Sequence, residues 1–292
     1  MEALKFKENI IPAKSYFSEE YVNGFDKKLL HLESWIPVCN PRAVILIIHS
    51  IGDHINRYKH LAQYFSDYGI AVIGMDMHGH GKSQGKKGKS KYQHLFLDVK
   101  RLTDIANLRY PNLPKIVYGH GMGGNLALTY ATMNNSNLMA IISSSPWIRI
   151  VNNYSTFFMS VFKIIMWIYP SFTVKNRFSN SDLNNDFENG NGNKKDPLLH
   201  RFISARLLSS VYKSGEYILH NKHKVNMPLL LMHGSNDRIA SWHATADFAK
   251  YTSPYTSLKI WKGALHELHN EYEKDEIFEF VLHWIEQLPG IY

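Results

Sequence analysis

Short apolar runs alternate with amphipathic segments along most of this 292-residue chain. The run AVILIIH at 43–49 is typical of a parallel strand that is buried on both faces of a sheet. Between such runs, apolar residues recur at helical spacing, as they do over 92–108. This alternation predicts an α/β fold with a mostly parallel central sheet and helices on both faces. The predicted strands are 43–49, 71–75, 115–118, 139–143, 228–233 and 257–261, and the predicted helices are 58–68, 92–108, 122–133, 241–251 and 274–286.

The alternation of strands and helices stops in the middle of the chain. Segment 154–169 is strongly apolar, but it is shorter than the roughly 20 residues that a membrane-spanning helix needs. Residues 180–193 are rich in asparagine, which is typical of a flexible connector, and residues 197–217 are predicted to be helical. The predicted division is a core of residues 1–147 and 227–292 with an inserted helical cap at 148–226.

The formal net charge of +8 comes largely from one short glycine-rich segment that carries five lysines. Such a segment is either a solvated loop or a surface attracted to an anionic membrane or an acidic partner. It contains neither a nucleic-acid-binding motif nor interleaved aromatic residues, so nucleic acid is not an expected partner. The lysines are Lys82, Lys86, Lys87, Lys89 and Lys91.

The cellular compartment is suggested by the single cysteine and by the N-terminal segment. Cys39 has no second cysteine with which to form an intramolecular disulfide, which is compatible with a reducing compartment. Residues 1–17 lack the apolar core of a secretory signal. We therefore expect an intracellular protein, cytoplasmic or organellar and not secreted, with at most peripheral membrane contact.

A sharp turn joins the strand predicted at 115–118 to the helix predicted at 122–133. The sequence IVYGHGMGG over 116–124 has the glycine pattern of the strand–turn–helix motif, or elbow, on which hydrolases carry a nucleophile. The residue at its tip is Gly121, which has no side chain with which to attack a substrate. The strained backbone of such a tip costs other residues about 1–3 kcal/mol, and glycine avoids most of that cost. We therefore expect the fold to tolerate this glycine although the chemistry of the turn is changed.

An aspartate and a histidine follow two later predicted strands. Asp237 comes after the strand at 228–233, and His266 comes after the strand at 257–261. Nucleophile, acid and base is the chain order of α/β-hydrolases, in which the acid orients the histidine and the histidine takes the nucleophile's proton. His266 and His269 also have an H-x-x-H spacing, but no set of further ligand residues accompanies them. We expect neither a metal nor another cofactor.

These motifs resemble those of the monoacylglycerol lipase and lysophospholipase group of α/β-hydrolases, of the serine aminopeptidase S33 type. The resemblance extends over about 35–284 and is weakest in the predicted cap. It implies an α/β-hydrolase fold and, where the family's chemistry applies, hydrolysis of single-chain acyl esters such as monoacylglycerols or lysophospholipids. The matching segments are HSIGDH at 49–54 with Arg57 and Tyr58, DMHGHGKS at 76–83, YPNLP at 110–114, GHGMGG at 119–124, GSND at 234–237 and GALHELHNE at 263–271.

Two positions depart from the pattern of that family. The family's elbow reads Gly-His-Ser-Met-Gly-Gly, so Gly121 stands where the nucleophilic serine is expected, and Ser50 stands where the oxyanion loop has glycine. By resemblance, the oxyanion donors are the backbone N–H groups of Ile51 and Met122. Ser50 lies near the predicted site and is an alternative nucleophile, but it is disfavoured because nothing in the sequence fixes the position of its hydroxyl relative to His266.

The apolar segment of the predicted cap has two interpretations. It is either a lid wall against which the fatty chain of an acyl lipid lies, or a surface that docks on another protein or on a membrane. Under the first interpretation the chain would contact four residues that we select on apolarity alone. They are Phe157, Phe158, Phe162 and Met166.

The sequence leaves two main functions open, beside a third alternative of residual or unusual catalysis such as slow attack by a water that His266 activates. The first is a non-catalytic pseudohydrolase with a binding or structural role, which the departures at Gly121 and Ser50 favour. The second is a serine ester hydrolase disabled by a Ser-to-Gly substitution at 121, which Asp237, His266 and the apolar cap favour. Loss of a nucleophilic serine costs about 10⁶-fold in turnover in a serine protease, so efficient attack from the elbow is not expected.

Overall fold

The secondary structure confirms the predicted α/β fold. A computed structural model describes residues 15–133, 137–151, 172–175, 179–186 and 196–291. The strands are β1 (Tyr16–Asn23), β2 (Leu29–Ile36), β3 (Ala43–Ile48), β4 (Ile70–Met75), β5 (Lys115–His120), β6 (Ala140–Ser144), β7 (Thr173–Lys175), β8 (Phe202–Ser204), β9 (Leu229–Gly234) and β10 (Thr256–Trp261). The helices are α1 (Lys59–Asp67), α2 (Tyr92–Arg109), α3 (Met122–Thr132), α4 (Ala205–Asn221), α5 (Trp242–Ala249) and α6 (Lys274–Glu286).

The central sheet has the strand order β1-β2-β4-β3-β5-β6-β9-β10. Strands β1 and β2 pair antiparallel with each other, and β2 pairs antiparallel with β4. All other neighbouring strands are parallel. The carboxyl ends of β3, β5, β9 and β10 therefore lie at the same edge of the sheet, which is where open parallel sheets bind ligands. This is the edge at which the motif residues are expected to meet.

Two hydrophobic layers cover the two faces of the sheet. On β3, Val44 and Leu46 point into the layer formed with α2, α3, α4 and α5, whereas Ile45 and Ile47 point into the layer formed with α1 and α6. All four side chains are buried, and burial of each contributes about 1.5–3 kcal/mol. Because both faces are covered, the strand consists of apolar residues without alternation, which is the pattern that identified it in the sequence.

Most of the predicted elements agree with the structure to within two residues; the helix predicted at 197–217 does not, and β1, β2, β7 and β8 were not predicted. Strands β1 and β2 were not predicted, because β1 is exposed along almost its whole length and β2 buries polar residues among its apolar ones. The helix predicted at 197–217 begins instead at Ala205, so the start of that prediction was wrong. Residues Phe202–Ser204 pair with β7, and Ser204 Oγ then caps α4 by accepting a hydrogen bond from Leu207 N–H at 3.2 Å.

The predicted cap is only partly covered by the described residues. Helix α4 packs through Leu207 and Val211 into the hydrophobic layer that contains α2 and α3, and β7 and β8 form a separate two-stranded sheet. In the asparagine-rich segment, Asn184 is buried and its amide donates to Glu267 Oε2 at 3.0 Å. Among the described helices, none has the length and apolarity that a membrane crossing requires. The predicted chain-contacting residues Phe157, Phe158, Phe162 and Met166 lie outside the described residues.

Candidate active site

A sharp elbow joins β5 to α3, and Gly121 lies at its tip. Its φ of 57° and ψ of −115° are angles that residues with a side chain rarely adopt. The Gly121 N–H donates to Ser144 C=O, and the Gly121 C=O accepts from Trp147 N–H, each at 3.0 Å. A Cβ on Gly123 would lie 2.1 Å from Ile48 C=O, so α3 begins in close contact with the end of β3. The elbow is thus held on both sides by backbone hydrogen bonds and by close packing.

Asp237 and His266 lie side by side after β9 and β10. His266 Nδ1 is 2.7 Å from Asp237 Oδ2, and His233 Nε2 is 2.9 Å from the same oxygen. The other carboxylate oxygen accepts two backbone N–H groups of the following turn, at 2.7 and 2.9 Å. A Cβ on Gly121 would lie 3.2 Å from His266 Nε2. The second ring nitrogen of His266 therefore faces the elbow.

The charges of this pair stabilise each other. Burial opposes the charge of Asp237, but His266 and the hydrogen bonds from His233 and His266 outweigh burial and hold the pKa of Asp237 well below its usual range. Burial also opposes the charge of His266, and the Asp237 carboxylate outweighs it, so the pKa of His266 is raised. Since Nδ1 donates to the carboxylate, Nε2 is the nitrogen that can accept a proton.

A series of buried rings begins at His266. The His120 ring lies 4.8 Å from the His266 ring and 4.8 Å from the His269 ring, and His269 stacks on Tyr58 at 4.4 Å. Burial, followed by the charge of His266, lowers the pKa of His120 to about 3. Burial likewise holds the pKa of His269 well below its ordinary value. At neutral pH these two imidazoles carry no charge that would compete with protonation of His266.

The loop after β3 places Ser50 over the start of α3. His49 Nε2 accepts a hydrogen bond from Met77 N–H at 3.0 Å, so the ring proton is on Nδ1, which donates to Ser50 C=O at 2.7 Å. The Ser50 Oγ accepts a hydrogen bond from Met122 N–H at 3.3 Å. Ile51 N–H has no hydrogen-bond partner within the described residues. Both predicted oxyanion donors therefore adjoin Ser50: Ile51 follows it in the chain, and Met122 N–H donates to its hydroxyl.

Ser50 occupies the space that a side chain on residue 121 would need. A Cβ on Gly121 would lie 2.3 Å from Ser50 Oγ and 3.0 Å from Ser50 Cβ, which is closer than non-bonded atoms approach. A serine at 121 therefore does not fit beside Ser50 in its present conformation. The Ser50 hydroxyl lies next to the point from which an elbow serine would extend, and His266 Nε2 lies 3.2 Å from the same point.

A buried arginine joins the loop of Ser50 to the loop of His266. The guanidinium of Arg57 makes two hydrogen bonds of 2.7 Å to Glu267, the residue after His266. It also donates to Asp53 Oδ1 at 3.0 Å, in the loop that begins at Ser50. The three charged side chains are nearly inaccessible to solvent, and the charge of Arg57 offsets the burial of both carboxylates and holds their pKa values below the usual range. We call these three residues the Arg57 clamp.

One group of possible metal ligands lies outside the site. Ligand atoms of Glu19, His31 and Glu33 lie close enough together to share an ion. However, Lys82 Nζ is 2.6 Å from Glu19 Oε2, and His31 Nδ1 is 3.2 Å from Asp76 Oδ2. The lysine therefore already neutralises the exposed carboxylate and Asp76 engages the histidine, whereas the Glu33 carboxylate is buried without a hydrogen-bond partner in the described part of the chain.

The structure brings together the residues that the sequence singled out at the ends of the strands. Gly121, Asp237, His266, Ile51 and Met122 converge at the carboxyl edge of the sheet. The sequence analysis missed the second histidine on the aspartate, the Arg57 clamp and the position of the Ser50 hydroxyl. Arg57 was part of a segment that matches the family, so its importance could have been predicted. The contact of His233 with Asp237 and the position of the Ser50 hydroxyl depend on loop conformation, which the sequence pattern does not predict.

The parallel sheet, the elbow between β5 and α3 and the Asp237–His266 pair define the chain as an α/β-hydrolase. A family model described as serine aminopeptidase, S33, matches residues 39–273. The chain is 30% identical to a monoacylglycerol lipase of Mycolicibacterium smegmatis over 273 residues, which cover 92% of this chain and 96% of that protein. It belongs to the monoacylglycerol lipase-like family of α/β-hydrolases.

Two further similarities extend over nearly the whole chain. An uncharacterized abhydrolase domain-containing protein of Dictyostelium discoideum is 32% identical over 266 residues, which cover 90% of this chain but only 28% of that protein. A soluble variant of the Saccharomyces cerevisiae monoglyceride lipase, solved with a substrate analog, superposes with a TM-score of 0.81 and 19% identity. That superposition covers 97% of this chain and 99% of the yeast protein, and it concerns the fold.

The first prediction concerns the Arg57 clamp. Arg57→Met leaves the carboxylates of Asp53 and Glu267 buried without a counter-charge, and we expect it to lower the free energy of unfolding by about 3–5 kcal/mol. Urea unfolding measures this change. The control is Arg109→Met, whose guanidinium bonds Glu20 at 2.7 Å on the exposed surface and contributes about 1 kcal/mol or less. Equal losses in the two variants would contradict a stabilising role of the clamp.

The second prediction concerns the overlap of positions 50 and 121. Gly121→Ala is expected to cost about 1–3 kcal/mol through its positive φ. The cost is expected to be larger by about 1 kcal/mol when Ser50 is present than in a Ser50→Gly background, because the new Cβ meets the Ser50 hydroxyl. A double-mutant cycle of urea-unfolding free energies measures the difference. Additive effects of the two substitutions would show that the side chains do not compete for space.

Proposed function

We propose that this chain hydrolyses carboxylic esters with a single acyl chain, such as monoacylglycerols or lysophospholipids, and that its nucleophile does not come from the elbow. The observation that carries this proposal is the Asp237–His266 pair, with its 2.7 Å hydrogen bond and with Nε2 facing the elbow. The substrate class follows from the names of the relatives, among them the monoacylglycerol lipase of Mycolicibacterium smegmatis.

In the proposed reaction His266 is the base and then the acid. Asp237 orients the ring and stabilises the imidazolium that forms when Nε2 takes a proton. The N–H groups of Ile51 and Met122 would bind the oxygen that becomes negative when the ester carbonyl is attacked. Met122 begins the 11-residue helix α3, whose N-terminal partial positive charge favours the same oxyanion. These groups are present without a side chain on Gly121.

A binding protein has little need for this arrangement of acid and base. A carboxylate buried beneath a histidine costs free energy unless several hydrogen bonds compensate for it, and here the carboxylate has four such bonds within 2.9 Å. Retention of such a pair, with the family's oxyanion donors beside it, supports catalysis more than it supports binding alone.

The second candidate is a non-catalytic pseudohydrolase that binds an acyl lipid. It is favoured by Gly121, which removes the family's nucleophile, and by Ser50, whose side chain blocks the space of a replacement at 121. Under this candidate the chain binds a non-hydrolysable monoalkylglycerol ether and hydrolyses the matching ester at the background rate. A cap that docks on a protein partner is compatible with either candidate.

The third prediction tests hydrolysis directly. The chain is expected to hydrolyse a monoacylglycerol and a short chromogenic ester, and His266→Ala is expected to lower kcat/KM by at least about 10³-fold because the base is lost. The control is His283→Ala, an exposed histidine on α6, which is expected to leave the rate unchanged. If the chain shows no hydrolysis above background while it binds the ether analogue, the second candidate replaces the first.

The fourth prediction concerns the pH dependence. Only neutral His266 accepts a proton, and its pKa is raised, so kcat/KM is expected to fall as the pH falls, with a midpoint above 6.5. Asp237→Asn removes the charge that raises this pKa, so the midpoint is expected to move to lower pH and the rate to fall by about 10⁴-fold. The measurement is kcat/KM over about pH 5 to 9 for both proteins. An unchanged midpoint in the variant would assign the titration to another group.

A further inference from the structure

We propose that Ser50 is the nucleophile of this chain. This inference rests on the proposed ester hydrolysis and names the group that begins it. The hydroxyl that the family carries on the elbow would here be supplied from the opposite side of the site, by the loop after β3. The two departures from the family pattern are then related: the hydroxyl that the family carries at position 121 is carried here at position 50.

The position of the hydroxyl carries the proposal. Ser50 Oγ lies 2.3 Å from the place of a Cβ on residue 121, and that same place lies 3.2 Å from His266 Nε2. An elbow serine would extend its oxygen one bond from this Cβ, so Ser50 Oγ adjoins the same point from which that oxygen would extend. Ser50 is partly exposed, and Nε2 has no hydrogen-bond partner within the described residues. The oxygen and the base thus both adjoin the place that a side chain on residue 121 would occupy, and neither is hydrogen bonded to the other.

The loop holds Ser50 in a defined place, as a nucleophile requires. His49 fixes its carbonyl, since Nδ1 donates to Ser50 C=O while Nε2 accepts Met77 N–H. Gly52 C=O accepts a hydrogen bond of 3.0 Å from the N–H of His200, which lies in the segment before β8. The Arg57 clamp holds the same loop against that of His266. Ser50 also has no positive φ, so the serine stands there without backbone strain.

The arrangement of the oxyanion donors is unchanged by the move. In the family pattern, one donor is the residue after the nucleophile and the other is the residue after the oxyanion-loop glycine. With Ser50 as nucleophile these roles are exchanged: Ile51 follows the nucleophile, and Met122 follows the glycine. The Met122 N–H already binds Ser50 Oγ at 3.3 Å, and would bind the oxyanion once the ester is attacked.

The reaction then balances without a co-reactant other than water. Ser50 Oγ forms a bond to the ester carbonyl carbon, its proton passes to His266 Nε2, and the carbonyl electron pair moves onto the oxyanion. Collapse of this intermediate breaks the bond to the alcohol, which leaves with the proton from His266. Water next attacks the acyl group on Ser50 and gives its proton to His266. The fatty acid leaves, and the proton returns to Ser50.

Covalent labelling of the full chain with a fluorophosphonate tests the assignment. The reagent forms a P–O bond with a nucleophilic hydroxyl, fluoride leaves, and His266 takes the proton. Trypsin releases residues 43–57 as one peptide, and Ser50 is the only hydroxyl residue in it. We expect the label on this peptide, and we expect His266→Ala to abolish labelling. A label found elsewhere in the chain would overturn the assignment.

Three variants test the same assignment by rate. Ser50→Ala is expected to lower kcat by at least about 10³-fold, whereas Ser66→Ala, a buried hydroxyl on α1, is expected to change nothing. The double substitution Ser50→Gly with Gly121→Ser removes the overlap and returns the hydroxyl to the elbow. It is expected to recover hydrolysis and to move the label to position 121. Circular dichroism of each variant confirms that it is folded.

The outcomes separate this inference from the proposed function. If Ser50→Ala retains the rate of the unaltered chain while His266→Ala loses it, ester hydrolysis stands and Ser50 is not its nucleophile. If the unaltered chain is inactive and unlabelled while the double variant is active, the chain is non-catalytic as it stands, and both proposals are overturned. Loss of rate and of label in Ser50→Ala, with recovery in the double variant, supports both.

Discussion

The geometry of the site depends on a buried arginine. The sheet fixes where its strands end, but Ser50 and His266 lie in loops beyond those ends. Arg57 spans the two loops with charge-assisted hydrogen bonds of 2.7 to 3.0 Å. Apolar packing would allow the loops to slide, whereas a planar guanidinium that binds one carboxylate with two nitrogens permits a single orientation. The Arg57 clamp therefore ties the loop of Ser50 to the loop of His266 through charged hydrogen bonds.

Much of the fold could be predicted because its central strands are covered on both faces. Such strands are continuous apolar runs, and the positions of β3 to β6, β9 and β10 followed from them. Strand β1 has no covered face, and β2 buries the polar residues His31 and Glu33 among its apolar ones, so neither has an apolar pattern to detect. The start of α4 was misplaced because a three-residue strand precedes it, and pairing between distant segments leaves no local periodicity.

The candidate site could be predicted in part for a similar reason. Asp237 and His266 follow strands of a parallel sheet, and the topology alone brings such positions to one edge. The hydroxyl of Ser50 required more, because its distance from the elbow depends on the path of a loop. From the sequence alone, the distance between positions 50 and 121 was unknown, and the glycine at 121 favoured a non-catalytic protein. The structure adds that the two positions share one space.

That shared space makes residues 50 and 121 an epistatic pair. Serine at both positions brings two side chains into overlap, and glycine at both leaves no hydroxyl beside His266. Each single-step path between the family pattern and this chain therefore passes through a crowded or an empty intermediate. Loop mobility would have to relieve the crowding for one path to stay open. A survey of relatives that scores the elbow residue alone would count chains of this kind as inactive, whereas scoring both positions together separates exchange of the hydroxyl from its loss.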